Sequence, residues 1–154
     1  MTRFKASNQS AATLKSSREE IWKALTDPEL VTKLTPYLHR VDVEGDRWTW
    51  HVTEVPILGK SIGSTFTEVM TFDEPTRIRF DHDPDQSDEL TEVCGEYHLE
   101  ERKDGTRVSI DIEVVVELPF PKAMRRPVQG AIRTVMAGMG KVFARRLLKH
   151  LGER

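Results

Sequence analysis

Between Leu38 and Leu118 apolar side chains return at every second position, and beyond Pro119 and Pro121 they return at every third or fourth. The first period belongs to strands with one buried face, the second to an amphipathic helix. A chain in this order is expected to cover one antiparallel sheet with one long helix. The clearest strand is the last. Val108, Ile110, Ile112, Val114, Val116 and Leu118 point one way along it, and Ser109, Asp111, Glu113 and Glu117 the other. The helix carries Val128, Ile132, Val135, Met136, Met139, Val142, Phe143 and Leu147. From about Pro127 to Leu151 it extends about 37 Å at 1.5 Å per residue, long enough to cross a whole sheet. Gly138 and Gly140 each cost such a helix about 1 kcal/mol, so close packing or a kink is expected there.

The chain before Leu38 reads differently. Phe4 and Ala6 fit an edge strand ending near Leu14. Ser17 and Glu20 have capping-box spacing before Ile21, Trp22 and Leu25, which predicts a helix from about Arg18 to Leu25. Asp27-Pro28 then restarts a short helix with Leu30, Val31 and Leu34 on one face, stopping before Pro36. Within the β region, Trp48, Trp50 and Val52 alternate with Thr49, His51 and Thr53. The stretch Ile57 to Gly63, with two glycines, reads as a connection, and Asp73-Glu74-Pro75-Thr76 as a tight turn. Beyond that turn Ile78, Phe80 and His82 share a face. A polar stretch runs from Asp83 to Glu89, and Val93, Gly95, Tyr97 and Leu99 alternate in the next strand up to a Lys103-Asp104-Gly105 hairpin.

With 154 residues, of which 38% are hydrophobic, the chain is expected to form one domain, 1–154. Its net charge of -2 gives no general polyanion-binding signal, and no nucleic-acid partner is expected. The charge is nevertheless segregated. Pro119 to Arg154 carries net +8 and the first 118 residues net -10. The expected use is intramolecular, a basic helix lying across a sheet whose rim and outer face are acidic. No apolar run approaches about 18 residues, and the amino terminus lacks a greasy segment, so a soluble, unexported chain without stable membrane insertion is expected. A single cysteine, Cys94, allows no internal disulfide and fits a cytoplasmic setting. It falls on the wet face of its strand, with no neighbour that would lower its pKa.

The order of strand, two short helices, six antiparallel strands and one long helix resembles the START-like or SRPBCC helix-grip superfamily. That superfamily includes polyketide cyclases and aromatases, relatives of the birch pollen allergen and lipid-transfer domains. The resemblance is carried by SSREEIWKALTDPELVTKLTP, similar to the helix-helix opening, by TFDEPTRIRF, similar to the mid-sheet proline turn, and by GTRVSIDIEVVVELPF before the last helix. It covers nearly the whole chain. Leu34 departs from the pattern, since many relatives carry tryptophan there. The resemblance implies an α+β fold in which a curved sheet of about seven strands wraps the carboxy-terminal helix around a cavity. Its ligand-facing candidates are Trp48, Trp50, Phe66, Glu68, Met70, Phe80, Tyr97, Met136, Met139 and Phe143. Phe72 belongs to the same inward set, and all of these side chains equally suit a filled core.

Two polar residues fall on the apolar face. Glu68 is in phase with Phe66 and Met70, and His82 with Ile78 and Phe80. A carboxylate so placed is costly unless paired or protonated. Either Glu68 orients a polar ligand group or transfers a proton, or it sits near a bulge or the open end and binds an arginine. His82 is expected at a strand end in water. Glu68 and Tyr97 are the two candidates for catalysis. Asp81, Asp83, Asp85, Glu89 and Glu92 match positions 1, 3, 5, 9 and 12 of a calcium loop, but Gln86 stands where that loop turns on glycine, and strands flank it. A solvated acidic loop is expected, with no metal and no cofactor. Motifs for a serine hydrolase, a phosphate-binding loop or a zinc protease are missing. Lys141, Arg145, Arg146 and Lys149 lie beside Val142, Phe143, Leu147 and Leu148, a pattern that touches anionic lipid only if the helix undocks. The leading expectation is therefore the binding or transport of a small hydrophobic molecule: a lipid, polyketide or aromatic compound. A polyketide cyclase or aromatase using the same cavity is the second reading, so whether a reaction is catalysed stays open. A protein-interaction module is the third. Oligomeric state is not legible.

Overall fold

Short-range signals place the two small helices where they stand in the computed structural model, which describes residues 1–153. After β1 (Thr2–Leu14), Ser17 Oγ accepts from Glu20 N at 3.2 Å and starts α1 (Arg18–Leu25). Glu20 returns its carboxylate to the Ser17 hydroxyl, 3.1 Å away. Asp27 caps α2 (Pro28–Leu34) by accepting from Glu29 N and Leu30 N. These bonds satisfy amide donors that the first helical turn leaves free.

Six further strands follow: β2 (Leu38–Glu44), β3 (Arg47–Ile57), β4 (Lys60–Asp73), β5 (Arg77–His82), β6 (Thr91–Arg102) and β7 (Gly105–Leu118). They form one antiparallel curved sheet in the order β1-β7-β6-β5-β4-β3-β2, so only β1 pairs out of sequence. Its ladder with β7 runs unbroken from Thr2↔Leu118 to Leu14↔Thr106. Curvature has a local cause at Gly95. A Cβ there would lie 2.0 Å from the Asp111 carbonyl oxygen, so β6 and β7 approach closely only because the position is glycine.

A 3-10 turn, Lys122–Met124, leads into α3 (Arg125–His150), which begins two residues before the expected Pro127. This helix lies along the inner face and packs at both ends. At one end Leu147 joins Ile21, Trp22, Leu25 and Leu34 of α1 and α2 in a core with Trp48, Met70, Ile78, Phe80 and Leu99. At the other, Val128 and Ile132 join Phe4, Val55, Ile57, Val116, Leu118 and Phe120. Each fully buried aliphatic side chain is worth about 1.5–3 kcal/mol.

Two expectations are corrected. Ile57 to Gly63 is not a connection: the turn is only Leu58-Gly59, both at positive φ (47° and 81°), which makes a two-residue hairpin between Ile57 and Lys60. Just before it a bulge between Val52 and Val55, with Glu54 at φ 56°, adds one residue to β3 and switches the inward parity from Trp48 and Trp50 to Val55 and Ile57. Nor do Gly138 and Gly140 pack closely, since a Cβ at either meets open space.

Candidate functional site

Between the two cores the inward side chains of the sheet are only half-buried. Trp50, Phe66, Tyr97, Ile110 and Ile112 face α3 here, and Met136, Met139 and Phe143 of α3 face them, also half-buried. These inward-facing side chains still touch water, unlike those of the two cores. Trp50 and Phe66 are cross-strand partners with rings stacked at 6.0 Å and 9°. Trp48 lies 6.1 Å from Trp50, and Phe80 lies 6.2 Å from Tyr97. Trp48, Met70 and Phe80 are themselves buried and form the wall behind these rings. Phe72 shares their face but lies at the open end, exposed, against Trp22 and Trp48.

Glu68 stands inside this aromatic wall. It is 3% exposed, opposite Trp48 on β3 and opposite His82 on β5. Among the described residues no cation pairs with it, so the arginine partner considered from sequence is not what holds it. Burial pushes its carboxyl well above the usual carboxylate range, the Trp50 indole N–H pulls the other way, and the Asp81 charge adds to the rise. The indole Nε1 is buried and completes no hydrogen bond, so it acts on Glu68 as a nearby dipole. Tyr97 is linked to the same place: burial, then the charge of Glu68, raises its phenol above its usual value. Two oxygen acids and one buried indole N–H thus lie near one another on the inner face of the sheet.

Residues 1–147 match the family model described as polyketide cyclase, dehydrase and lipid transport. The chain belongs to this family. A search among curated proteins finds no match. Solved structures agree on the fold. A protein from Thermus thermophilus superposes with a TM-score of 0.70 at 19% identity, covering 94% of this chain and 98% of that one. The Zhui aromatase/cyclase from a Streptomyces species gives 0.64 at 13% identity, covering 94% and 95%. A START superfamily protein from Mycobacterium smegmatis gives 0.61 at 19% identity, covering 88% and 96%.

In this family member the strand edges around Glu68 hold residues that sequence reasoning undervalued. Strand β5 ends at His82, leaving β4 without a neighbour on that side, and the loop after it fills the gap. Asp83 N donates to Thr67 O at 3.0 Å. Glu89 accepts from Thr67 N at 2.7 Å and from Thr67 Oγ1 at 2.8 Å. His82, expected in water, is instead 17% exposed at its side chain, with Nδ1 buried, unpartnered and 4.0 Å from Glu89. The only signal for this in the sequence was an acid a few residues past a strand end.

The acidic loop is not simply solvated. Asp83 is fully buried and accepts from Arg47 Nε at 2.9 Å and from Asp85 N at 3.0 Å. Arg47 also holds Asp85, Arg79 holds Asp81, Thr67 holds Glu89 and Arg3 holds Glu92, so the five acids of the calcium-like spacing turn to four different partners. Among the described residues no three His, Cys, Asp or Glu side chains converge as a metal site would require. Cys94 is half-buried, and burial followed by the Glu113 charge raises its thiol, which disfavours the reactive thiolate.

Proposed function

We propose that the protein binds a small hydrophobic molecule between the sheet and α3, with the polar end of that molecule at Glu68 and Trp50. One observation carries this reading: Trp50, Phe66, Tyr97, Ile110 and Ile112 of the sheet and Met136, Met139 and Phe143 of α3 are half-buried on the inner faces, beside two clusters of buried residues, and a buried carboxyl with no cation among the described residues lies next to them. Aromatic rings and methionines give an adaptable apolar surface, and a few convergent polar groups fix orientation. The family description, which includes lipid transport, supports the same class of ligand. The ligand class remains lipid, polyketide or aromatic compound, and the cytoplasmic setting is supported by the lone cysteine, whose thiol needs no partner there.

The raised Glu68 carboxyl favours a second reading, an acid catalyst of the cyclase or aromatase kind. A carboxylic acid kept protonated by burial donates to a carbonyl oxygen of a bound ketone, and its conjugate base takes a proton back in the next step. Mass spectrometry of an organic extract from the purified protein tests the shared claim. A co-purified lipid or polyketide supports it. A protein that carries nothing and also takes up no fatty acid or aromatic polyketide on titration contradicts it.

A further inference from the structure

The basic helix does not neutralise the acidic sheet. Paired carboxylates of the sheet take their cations from strands or from α1, as Glu92 does from Arg3, Glu113 from Lys5 and Glu96 from Arg77. Among the described residues α3 takes part in no ion pair. It contains no Asp or Glu, and Arg126, Arg133, Lys141, Arg145 and Lys149 are all exposed. Their spacing of seven, eight, four and four residues puts them on one side of the helix, away from the buried Val128, Ile132 and Leu147. Between them stand small residues and, near the carboxy-terminal end, the half-buried Leu148, which borders a surface hollow with Lys141, Ala144, Arg145 and Lys149. Thr134, Ala137, Gly138 and Ala144 are exposed, and a Cβ at Gly130 or Gly138 would meet nothing within 4 Å. The result is a row of cations about 35 Å long at 1.5 Å per residue that drifts by just under half a turn around the helix.

We propose that this outer face of α3 docks flat on an anionic lipid bilayer. Charge complementarity is the first argument, since the row has no ion-pair partner among the described residues. The five cations all stay on the half of the helix turned away from Val128, Ile132 and Leu147, so one side of α3 can meet a surface without disturbing the core. The first 118 residues, at net -10, are repelled by the same surface, so the field of the whole molecule turns α3 toward it. No large hydrophobic side chain of α3 is strongly exposed, so the helix rests on headgroups and does not insert. The choice of a bilayer over another polyanion rests on the proposed hydrophobic ligand, which α3 covers. The unpaired row itself does not depend on that reading.

The test is co-sedimentation of the full chain with vesicles of phosphatidylcholine alone or enriched in phosphatidylglycerol, at low and high salt. The wild type is expected to pellet only with the anionic vesicles and to be released by salt. The combined variant Arg133→Gln, Lys141→Gln, Arg145→Gln should lose about a hundredfold in vesicle affinity, while melting as the wild type does. No pelleting of the wild type, equal pelleting of the variant, or tighter capture by duplex RNA than by vesicles would overturn the proposal. Titrating a fatty acid into the same samples by tryptophan fluorescence separates the two claims. Docking without ligand uptake contradicts only the proposed function, and uptake without docking contradicts only this inference.

Discussion

Glu68 and His82 occupy opposed positions of β4 and β5, yet the imidazole Nδ1 lies 4.0 Å from Glu89 and, among the described residues, the Glu68 carboxyl has no ion-pair partner. The pairing that would have kept Glu68 ionised is not made. Its burial then favours the neutral acid, which is the form that can give a hydrogen bond or a proton to a ligand oxygen.

That arrangement sets a pH signature. Because the folded pKa is raised, the folded state keeps a proton that the unfolded state has lost. Stability is therefore full below the unfolded value and falls as pH rises through the folded one. Glu68→Gln keeps the shape and removes the penalty. Each pK unit is worth about 1.4 kcal/mol, or about 4 °C of melting temperature for a chain of this size. The variant is expected to melt several degrees higher at neutral pH and to respond less to pH. A lower melting point with salt-bridge-like pH dependence would show that a cation holds Glu68.

Glycines on the helix and in the sheet should answer oppositely to the same substitution. Gly138→Ala and Gly140→Ala place a methyl in open space and are expected to stabilise the fold by about 1 kcal/mol each in denaturant titrations. Gly95→Ala forces a Cβ to within 2.0 Å of the Asp111 carbonyl oxygen and should cost several-fold more. Equal effects at the three sites would contradict the close approach of β6 and β7.

Arg47→Ala should loosen the loop after β5. It leaves the buried Asp83 carboxylate with only the Asp85 amide. Breaking a fully buried pair costs about 3–5 kcal/mol, and the half-exposed Arg47 brings the expectation down to about 1–3 kcal/mol. Limited proteolysis should begin between Pro84 and Asp88. An unchanged cleavage pattern would show that the loop is held by other contacts.

What the sequence made legible follows from range. The limits of α1, the Asp27 cap of α2 and the alternation through β6 and β7 are set by residues within a few positions of each other, and they stand as expected. The bulge at Glu54 was hidden because only the β4 partner strand reveals an extra residue, and it moved Val55 and Ile57 to the inner face. The Leu58-Gly59 turn was blurred because Gly63, a second glycine, sits inside β4. At the site, alternation was enough to put Glu68 with Phe66 and Met70. His82 beside Glu89, Glu89 on Thr67 and Asp83 on Arg47 depend on where β5 stops relative to β4 and β6, which no local pattern encodes. The charge of α3 was equally plain, but its lack of acidic partners was visible only once the sheet's own ion pairs were in place.

The central claim is that a hydrophobic molecule sits against Trp50 between the sheet and α3. The most direct test is a fluorescence titration of the wild type and of Met136→Trp with a long-chain fatty acid and with an aromatic polyketide. Trp50 stacks on Phe66 on the inner face of the sheet, and Met136 is a half-buried residue on the sheet-facing side of α3, packed next to the core of Val55 and Ile57 that continues β3 beyond Trp50. The account predicts a saturable change in wild-type tryptophan emission and its loss in Met136→Trp, whose larger ring fills the space while the fold still melts cooperatively. Undiminished binding by a folded Met136→Trp would place the ligand elsewhere and contradict the account.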